Sequence, residues 1–316
     1  MNNDSKIIIV IPIFNDWSSL EELLKKIDNT TSNQLYDTIE YLIINDGSFN
    51  RTNLKDSQNG KIKLINLATN LGHQKAIAIG LSWIHKYTNY KKIVIMDGDG
   101  EDKPEELNKL LEASLKNPDK IIVAKRNGRE NSISFKIFYR IYRMTFRILT
   151  GNKITFGNFV VFPAEFLKRL VYMPETWSHL PSTIIKSRLP IIEVGTKRGN
   201  RLMGKSKMTM HSLLLHGFAA ISVFSEKVTT RILMVSSLLT LLSLVLGLAI
   251  LIIKYLTTLA IPGWTSTMVL VSGVIFLQAI LLSMFALFLY LSSKSLFRII
   301  PAIHFEDYIP KEDINE

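Results

Sequence analysis

The sequence predicts an open, mostly parallel α/β sheet followed by two membrane-crossing helices. Three observations carry this reading. Short apolar runs alternate with amphipathic stretches from Lys6 to Arg126. Polar clusters sit just beyond the ends of those runs: Asn15 and Asp16, Asp46, Asp97 and Asp99, and Arg126. Two long runs near the C-terminus, 232–253 and 268–291, carry no charge.

KIIIVIPIF (6–14) is continuously apolar, the pattern of a strand buried on both faces. A helix is expected over roughly 17–28. TIEYLIINDGS (38–48) reads as a second strand ending in a turn, and KIKLINL (61–67) as a third. GHQKAIAIGLSWIHKY (72–87) has helical spacing, and KKIVIMD (91–97) is the fourth strand. PEELNKLLEASL (104–115) is a helix with proline in its first turn, Asp102 as its expected N-cap and Glu105 as the capping-box partner. KIIVAKR (120–126) is the fifth strand. In FKIFYRIYRMTFRIL (135–149), Phe135, Phe138, Tyr139, Tyr142, Phe146 and Leu149 share one helical stripe, and Lys136, Arg140, Arg143 and Arg147 another. Beside membrane spans, that is the pattern of an interfacial helix. MHSLLLHGFAAISVF (210–224) is a second candidate.

The chain has 316 residues, a formal net charge of +11 and no cysteine. A disulfide framework and thiolate metal sites are thereby excluded. The basic excess calls for an anionic partner. The basic residues gather near the spans and form no known DNA or RNA motif, so nucleic acid is not expected. Mean hydropathy of +0.19 reflects the two spans. MNNDSKIIIVIPIF lacks a basic n-region and a cleavage site, so the chain ahead of the spans is expected to stay cytoplasmic. Lys227 and Arg231 precede the first span, Lys294 and Arg298 follow the second, and the loop between holds one lysine. The positive-inside rule then places both termini in the cytoplasm, with multi-pass insertion in a bacterial inner membrane. The expected domains are 1–208, a catalytic domain; 209–228, a juxtamembrane helix; 229–293, the transmembrane hairpin; and 294–316, a cytoplasmic tail. The spans are also a candidate surface for homo-oligomer formation.

MDGDGEDKPEEL (96–107) concentrates carboxylates at the end of the fourth strand. If the chain is extended there, Asp97 and Asp99 project to one side and Glu101 follows them. Hard oxygen ligands so placed suit Mg²⁺ or Mn²⁺ shared with a substrate phosphate. The plainer alternative is an acidic turn capping the next helix, which accounts for Asp102 and Glu105 but leaves Asp97 and Asp99 without a role.

Four pieces, IVIPIFND, LIINDGS, NLGHQKAIAIG and IVIMDGDGEDKPEE, resemble the family-2 glycosyltransferases of the nucleotide-diphospho-sugar (GT-A) fold. GNFVVF (157–162), RGNRLMGKSK (198–207) and the two spans are similar to the polyprenyl-phosphate branch, which includes dolichol-phosphate mannose synthases and undecaprenyl-phosphate glycosyltransferases. The resemblance implies that Pro12, Phe14 and Asp16 line the nucleotide pocket and that Asp46 contacts the base. Asp97 would lie near ribose and diphosphate, and Asp97, Asp99 and Glu101 would hold Mg²⁺ or Mn²⁺. Arg198, Arg201, Ser206 and Lys207 would cover the donor diphosphate. The acceptor would be a polyprenyl phosphate at the bilayer surface, its head held by Arg126, Lys136 and Arg140. Asp99, Arg201 and Arg126 are the expected catalytic residues. Phe14 stands where the family usually has tyrosine, Asp16 where it has glutamate, and Gly100-Glu101 replaces a common Leu-Gln pair.

GNRLMGKS (199–206) also satisfies the P-loop pattern, but amphipathic and membrane helices follow it where a P-loop domain needs further parallel strands. A solvated basic loop is the plain alternative. A phosphate oxygen is already a nucleophile, so no general base is required. An acceptor hydroxyl on a glycolipid or polysaccharide would need one, and Glu175 in MPETW is the candidate. A non-catalytic membrane scaffold is the remaining alternative. His73 reads as a hydrogen-bonding residue near the nucleotide rather than a catalyst.

Overall fold

The structure is a computed structural model describing residues 6–30, 38–49, 61–126, 133–199, 201–203, 210–258, 261, 263–295 and 298–314. It divides into two compact units. One comprises Met1–Met144, Asn152–Val223 and Arg298–Glu316; the other comprises Thr145–Gly151 and Phe224–Phe297.

The first unit is an α/β domain. Its strands are β1 Lys6–Ile13, β2 Thr38–Asn45, β3 Ile62–Asn66, β4 Lys92–Ile95, β5 Ile121–Arg126, β6 Phe156–Pro163 and β7 Ile191–Thr196. The described residues form one seven-stranded sheet in the order β3-β2-β1-β4-β6-β5-β7. Every pairing is parallel except those of β6, which runs antiparallel to both β4 and β5. The sheet is therefore mostly parallel, as the sequence predicts. GNFVVF is the core of the reversed strand.

Burial on both faces explains the unbroken apolar run of β1. Ile7, Ile9, Ile11 and Ile13 pack with Leu20, Leu23 and Ile27 of α1 (Trp17–Thr30) and with Leu107, Leu110 and Leu111 of α3 (Pro104–Lys116). Ile8 and Val10 face the other way, into Ala76, Ile77 and Leu81 of α2 (His73–Tyr87). Alternate side chains of one strand thus enter two different cores.

Helix α3 starts at Pro104 with Lys103 as its N-cap and no side-chain capping bond. This corrects the expected Asp102 cap: Asp102 is drawn instead into an isolated antiparallel bridge with Arg198.

The chain continues through α4 (Ile133–Thr150), α5 (Leu167–Val171), α6 (Leu180–Ser187) and α7 (Met210–Ser222). Helix α4, expected to be interfacial, carries both buried and exposed apolar side chains. Phe146 of the predicted stripe is fully buried, its ring edge-on to Phe224 at 5.9 Å within the second unit. Among the described side chains, Tyr139 of the same stripe is exposed, as are Ile137, Ile141, Met144 and Ile148.

The second unit is built on α8 (Ser225–Leu256) and α9 (Trp264–Ser295), two helices long and apolar enough to cross a membrane. The first of these helices begins at Ser225, ahead of residue 229, where the hairpin is expected to start. Small residues fill the seam: Ser236, Ser243, Ala279 and Ala286 are buried, while leucines and valines point outward. Ser283 Oγ donates to Ser236 Oγ at 2.8 Å, and Ser272 Oγ donates to the Ser243 carbonyl at 3.0 Å. Helix pairs with no hydrophobic drive toward each other associate in this way.

After α9 the chain returns to the first unit as α10 (Pro301–His304), a 3-10 turn (Phe305–Tyr308) and α11 (Lys311–Ile314). The expected tail, 294–316, thus packs on the α/β unit over its described residues from Arg298 on. Phe305 and Ile309 are buried in the same core as α2, and Tyr308 packs edge-on against Trp177 at 5.5 Å.

Candidate functional site

Parallel strands deliver their following loops to one edge of a sheet, and ligands of open α/β sheets bind there. Beyond β1, β2 and β3 lies a cleft of 380 Å³ lined by Phe14, Asn45, Gly47, Ser48, Asn66 and the 67–70 loop, with Phe49 at its rim. Its polar lining is interlocked. Asn45 Nδ2 donates to Asn66 Oδ1 at 2.9 Å, and Asn45 Oδ1 accepts from Ser48 N–H at 2.9 Å. Asn15, at φ 50, fixes the β1 loop against the β2 loop: its N–H donates to Ser48 Oγ, and its Oδ1 accepts from Phe49 N–H.

Of Pro12, Phe14 and Asp16, the residues expected in a nucleotide pocket, Phe14 lines this cleft. Pro12 is buried within β1, in register with Ile44. Asp16 sits at the start of α1, where its Oδ1 accepts from Ser19 Oγ at 2.6 Å. Asp46, expected on the base, is almost fully buried, with Oδ1 accepting from Leu71 N–H at 2.7 Å and Oδ2 from Gly72 N–H at 2.9 Å. Burial pushes its carboxyl up, against those two hydrogen bonds. Asp46 therefore holds the turn that launches α2 and precedes His73.

His73 Nε2 lies 3.1 Å from Asp97 Oδ1, and the Asn158 amide lies 2.9 Å from the same nitrogen. Burial disfavours charge on the ring, but the Asp97 carboxylate outweighs it and raises the His73 pKa. Gln74 links this group onward, donating to Asn158 Oδ1 and accepting from Leu180 N–H. GHQ thus ties the end of β4 to β6 and α6.

The acidic stretch and the basic loop lie on each other. Gly199 N–H donates to the Glu101 carbonyl at 2.8 Å, and Leu202 N–H donates to the Asp99 carbonyl at 3.1 Å. Arg201 Nη2 reaches Asp16 Oδ2 at 2.5 Å, and its Nη1 lies 3.9 Å from Asp99 Oδ2. Arg198 is paired with Glu101. Asp99 Oδ1 also accepts Glu101 N–H at 3.0 Å. Gly100, at φ +76, allows the turn and the close seat of Leu202. The described part of the P-loop-like segment thus lies along the acidic strand end rather than around a helix N-terminus.

Asp97, Asp99 and Glu101 are adjacent, but among the described residues no three acidic or histidine side chains converge as a metal cage. Glu101 is turned to Arg198. The donor set fits a hard cation held by one or two carboxylates, with remaining positions left to diphosphate and water. Of the other expected residues, Arg140 is exposed on α4, and Arg126 ends β5. The side chains of Arg126 and Lys136, and all of Ser206 and Lys207, lie outside the described residues. Glu175 is engaged by Lys186 at 2.8 Å and Arg298 at 3.9 Å. Sequence reasoning missed Asn45 and Asn66. The signal was present, since each is a carboxamide ending an apolar strand.

The family model described as Glycosyl transferase family 2 matches residues 8–173. Among known proteins, the chain is 28% identical over 276 residues to an uncharacterized glycosyltransferase of Synechocystis sp., covering 83% of this chain and 82% of that one. It is 27% identical over 216 residues to the dolichol-phosphate mannosyltransferase of Pyrococcus furiosus, covering 64% and 59%. A third relative is the undecaprenyl-phosphate 4-deoxy-4-formamido-L-arabinose transferase of Klebsiella pneumoniae, 28% identical over 152 residues, covering 46% and 45%. Among solved structures, glucosyl-3-phosphoglycerate synthase of Mycobacterium tuberculosis is similar with a TM-score of 0.49 at 13% identity, covering 71% of this chain and 80% of that one.

Proposed function

The chain belongs to glycosyl transferase family 2, its α/β unit is a GT-A-like domain, and from that premise we propose that it moves a sugar from a nucleotide-diphosphate donor to a polyprenyl phosphate at a membrane face. One observation carries the reading. Two membrane-length helices interrupt a single α/β unit, which holds the sequence before them and the sequence after them. A hairpin entered from and returned to one unit keeps that unit on one side of a bilayer. The positive-inside pattern makes that side the cytoplasm, at an inner membrane. The named activities of the Pyrococcus and Klebsiella relatives support a polyprenyl-phosphate acceptor.

The nucleoside half of the donor, from a UDP- or GDP-sugar, occupies the amide-lined cleft with its base against Phe14. The diphosphate lies toward Asp97 and Asp99. Mg²⁺ or Mn²⁺ bound there supplies Lewis-acid charge to the leaving diphosphate. Arg198 and Arg201, which engage Glu101, Asp16 and Asp99 in this structure, exchange carboxylate oxygens for diphosphate oxygens when the donor arrives. His73 orients Asp97. Lys207 and Ser206 complete the cover over the diphosphate.

An acceptor phosphate oxygen attacks the anomeric carbon. The new C–O bond forms as the bond to the diphosphate breaks, and its electron pair leaves on the nucleoside diphosphate. In-line attack inverts the anomeric centre. Arg126, Lys136 and Arg140 hold the acceptor phosphate. The outward apolar stripe of α4, with Leu214, Leu215 and Phe218 of α7, suits the surface where that lipid lies. No proton needs removal from the acceptor, and Glu175 is already committed to Lys186 and Arg298.

The test incubates purified protein in detergent with undecaprenyl phosphate, Mg²⁺ or Mn²⁺, and a panel of UDP- and GDP-sugars. Mass spectrometry should find a lipid-phosphate-sugar that Asp99→Ala abolishes. No product from any donor, despite metal-dependent nucleotide binding, would overturn the acceptor and favour a glycan or glycolipid hydroxyl.

A further inference from the structure

The segment that returns from α9 ends on the wall of the donor cleft. Strand β3 is an edge strand of the sheet. Its bonds to β2 involve Lys61, whose carbonyl accepts from Tyr41 N–H, and Leu67, whose N–H donates to the Asn45 carbonyl. Since alternate residues of a strand point their amides to opposite sides, the N–H groups of Asn66 and Ala68 face away from β2. An edge of this kind leaves backbone donors open. Both are taken by the returning segment. Asn66 N–H donates to Asp313 Oδ2 at 3.2 Å, and Ala68 N–H donates to the Tyr308 carbonyl at 3.0 Å.

Asn66 and Ala68 also line the cleft. The Asn66 side chain accepts from Asn45, and Asn45 in turn holds the Ser48 amide, so one chain of hydrogen bonds runs from Asp313 across the cleft floor. The segment is held along its length. Arg298 lies beside Glu175, and Glu306 accepts from Lys86 Nζ at 2.7 Å and from Tyr87. Phe305 is buried edge-on to Tyr87. Such clamping is more than a tail needs, and it fixes where the last contacts fall.

We propose that residues 298–314 form the outer support of the nucleoside subsite, and that Asp313 is a positioning residue that sets Asn66 for the base and ribose. The inference rests on the reading of the cleft as the nucleoside site. Its consequence is that donor affinity depends on chain lying beyond the membrane hairpin. Neither the acidic stretch nor the basic loop contacts this segment through any bond described above, so the diphosphate half of the site should not feel it.

The experiment compares two probes on the full chain in detergent: UDP or GDP, whichever the wild type binds more tightly, and inorganic pyrophosphate, each with Mn²⁺. Asp313→Ala should raise the nucleotide Kd by about threefold to tenfold, the typical net contribution of one hydrogen bond. Its pyrophosphate Kd should match the wild type. Asp313→Asn keeps an acceptor oxygen and should recover most of the nucleotide affinity. Equal nucleotide affinity in the wild type and Asp313→Ala would overturn the inference. So would a parallel loss for both probes, which would mark a loosened domain rather than a positioned subsite. A wild type that binds nucleotide no better than pyrophosphate would remove the nucleoside reading of the cleft, and the role of Asp313 with it.

Discussion

Phe305→Ala tests whether the sequence beyond the two long apolar helices belongs to the core of the α/β unit. Phe305 is only 1% exposed, and its ring meets Tyr87 edge-on at 6.2 Å with the Lys86 ammonium 5.9 Å from its centroid. Truncating a buried phenylalanine removes its transfer energy and leaves a cavity, together costing about 3–5 kcal/mol. For an α/β unit of this size, roughly 2–4 °C of Tm is lost per kcal/mol, so a fall of about 6–20 °C is expected. Intrinsic fluorescence is a suitable readout, because Trp177 packs on Tyr308 and Trp83 on Tyr87. The assay is a thermal scan of the full chain in detergent, wild type against variant. A solvated tail would behave as a surface site, with changes within about 0.5 kcal/mol. A shift below about 2 °C would therefore refute the placement of Phe305 in the core.

Other outcomes follow from the same geometry. Gly47 has φ +70, and a Cβ there would lie 2.6 Å from Asn70 N and 2.7 Å from the Thr69 carbonyl carbon. Backbone strain and overpacking together should make Gly47→Ala cost about 2–4 kcal/mol and weaken nucleotide binding at least about tenfold, measured by calorimetric titration. Arg201→Ala should lower kcat by about 10²–10³-fold with a smaller change in KM, since its guanidinium is proposed to meet charge that grows in the transition state. A change confined to KM in steady-state assays would contradict that role. Burial, with His216 at 3.2 Å, pushes His179 down to about 3 from its ordinary 6.5. Its folded pKa is depressed, so the unfolded chain takes up the proton first. Stability is full above pH 6.5 and is lost as pH falls toward 3. Tm measured across that window should fall less steeply in His179→Asn, which keeps an N-cap acceptor for Ser182 N–H.

The alternating core and its functional edge were legible in the sequence because they rest on local patterns. The β1 run is apolar at every position because two cores share it, and polar clusters stand just beyond the ends of β1, β2 and β4, at the edge where open α/β sheets bind ligands. The pairing of the acidic stretch with the basic loop was legible as charge, but not as geometry. Leu202 and Gly199 align the loop through backbone amides, which any residue type supplies. The reversed strand β6 was harder to read. Direction in a sheet is set by the connection, and a whole helix, α4, separates β5 from β6, so no short hairpin loop marks the reversal. The burial of α4 was not legible because apolar side chains stand all round much of the helix, and only packing decides that Phe146 is buried while Tyr139 and Ile137 are exposed.

The C-terminal segment shows most plainly what a sequence pattern hides. Phe305, Tyr308 and Ile309 stand in a short stretch of mixed charge, too brief for either helical or strand periodicity to register. Their partners, Tyr87, Trp177 and the α2 core, are more than a hundred residues away. A contact across that separation carries a loop-closure cost that rises only slowly with length. Placing two long apolar helices between the parts of the α/β unit therefore need not weaken the docking of the last residues. The hairpin can anchor the enzyme while the segment after it completes a sheet edge. If that holds, substitutions in the hairpin seam, such as Ser283→Ala, should alter stability by about 1 kcal/mol or less. They should leave nucleotide affinity unchanged, whereas Asp313→Ala should do the reverse. Opposite rankings in the two assays would mean that the donor cleft is governed from the membrane helices rather than from the edge of β3.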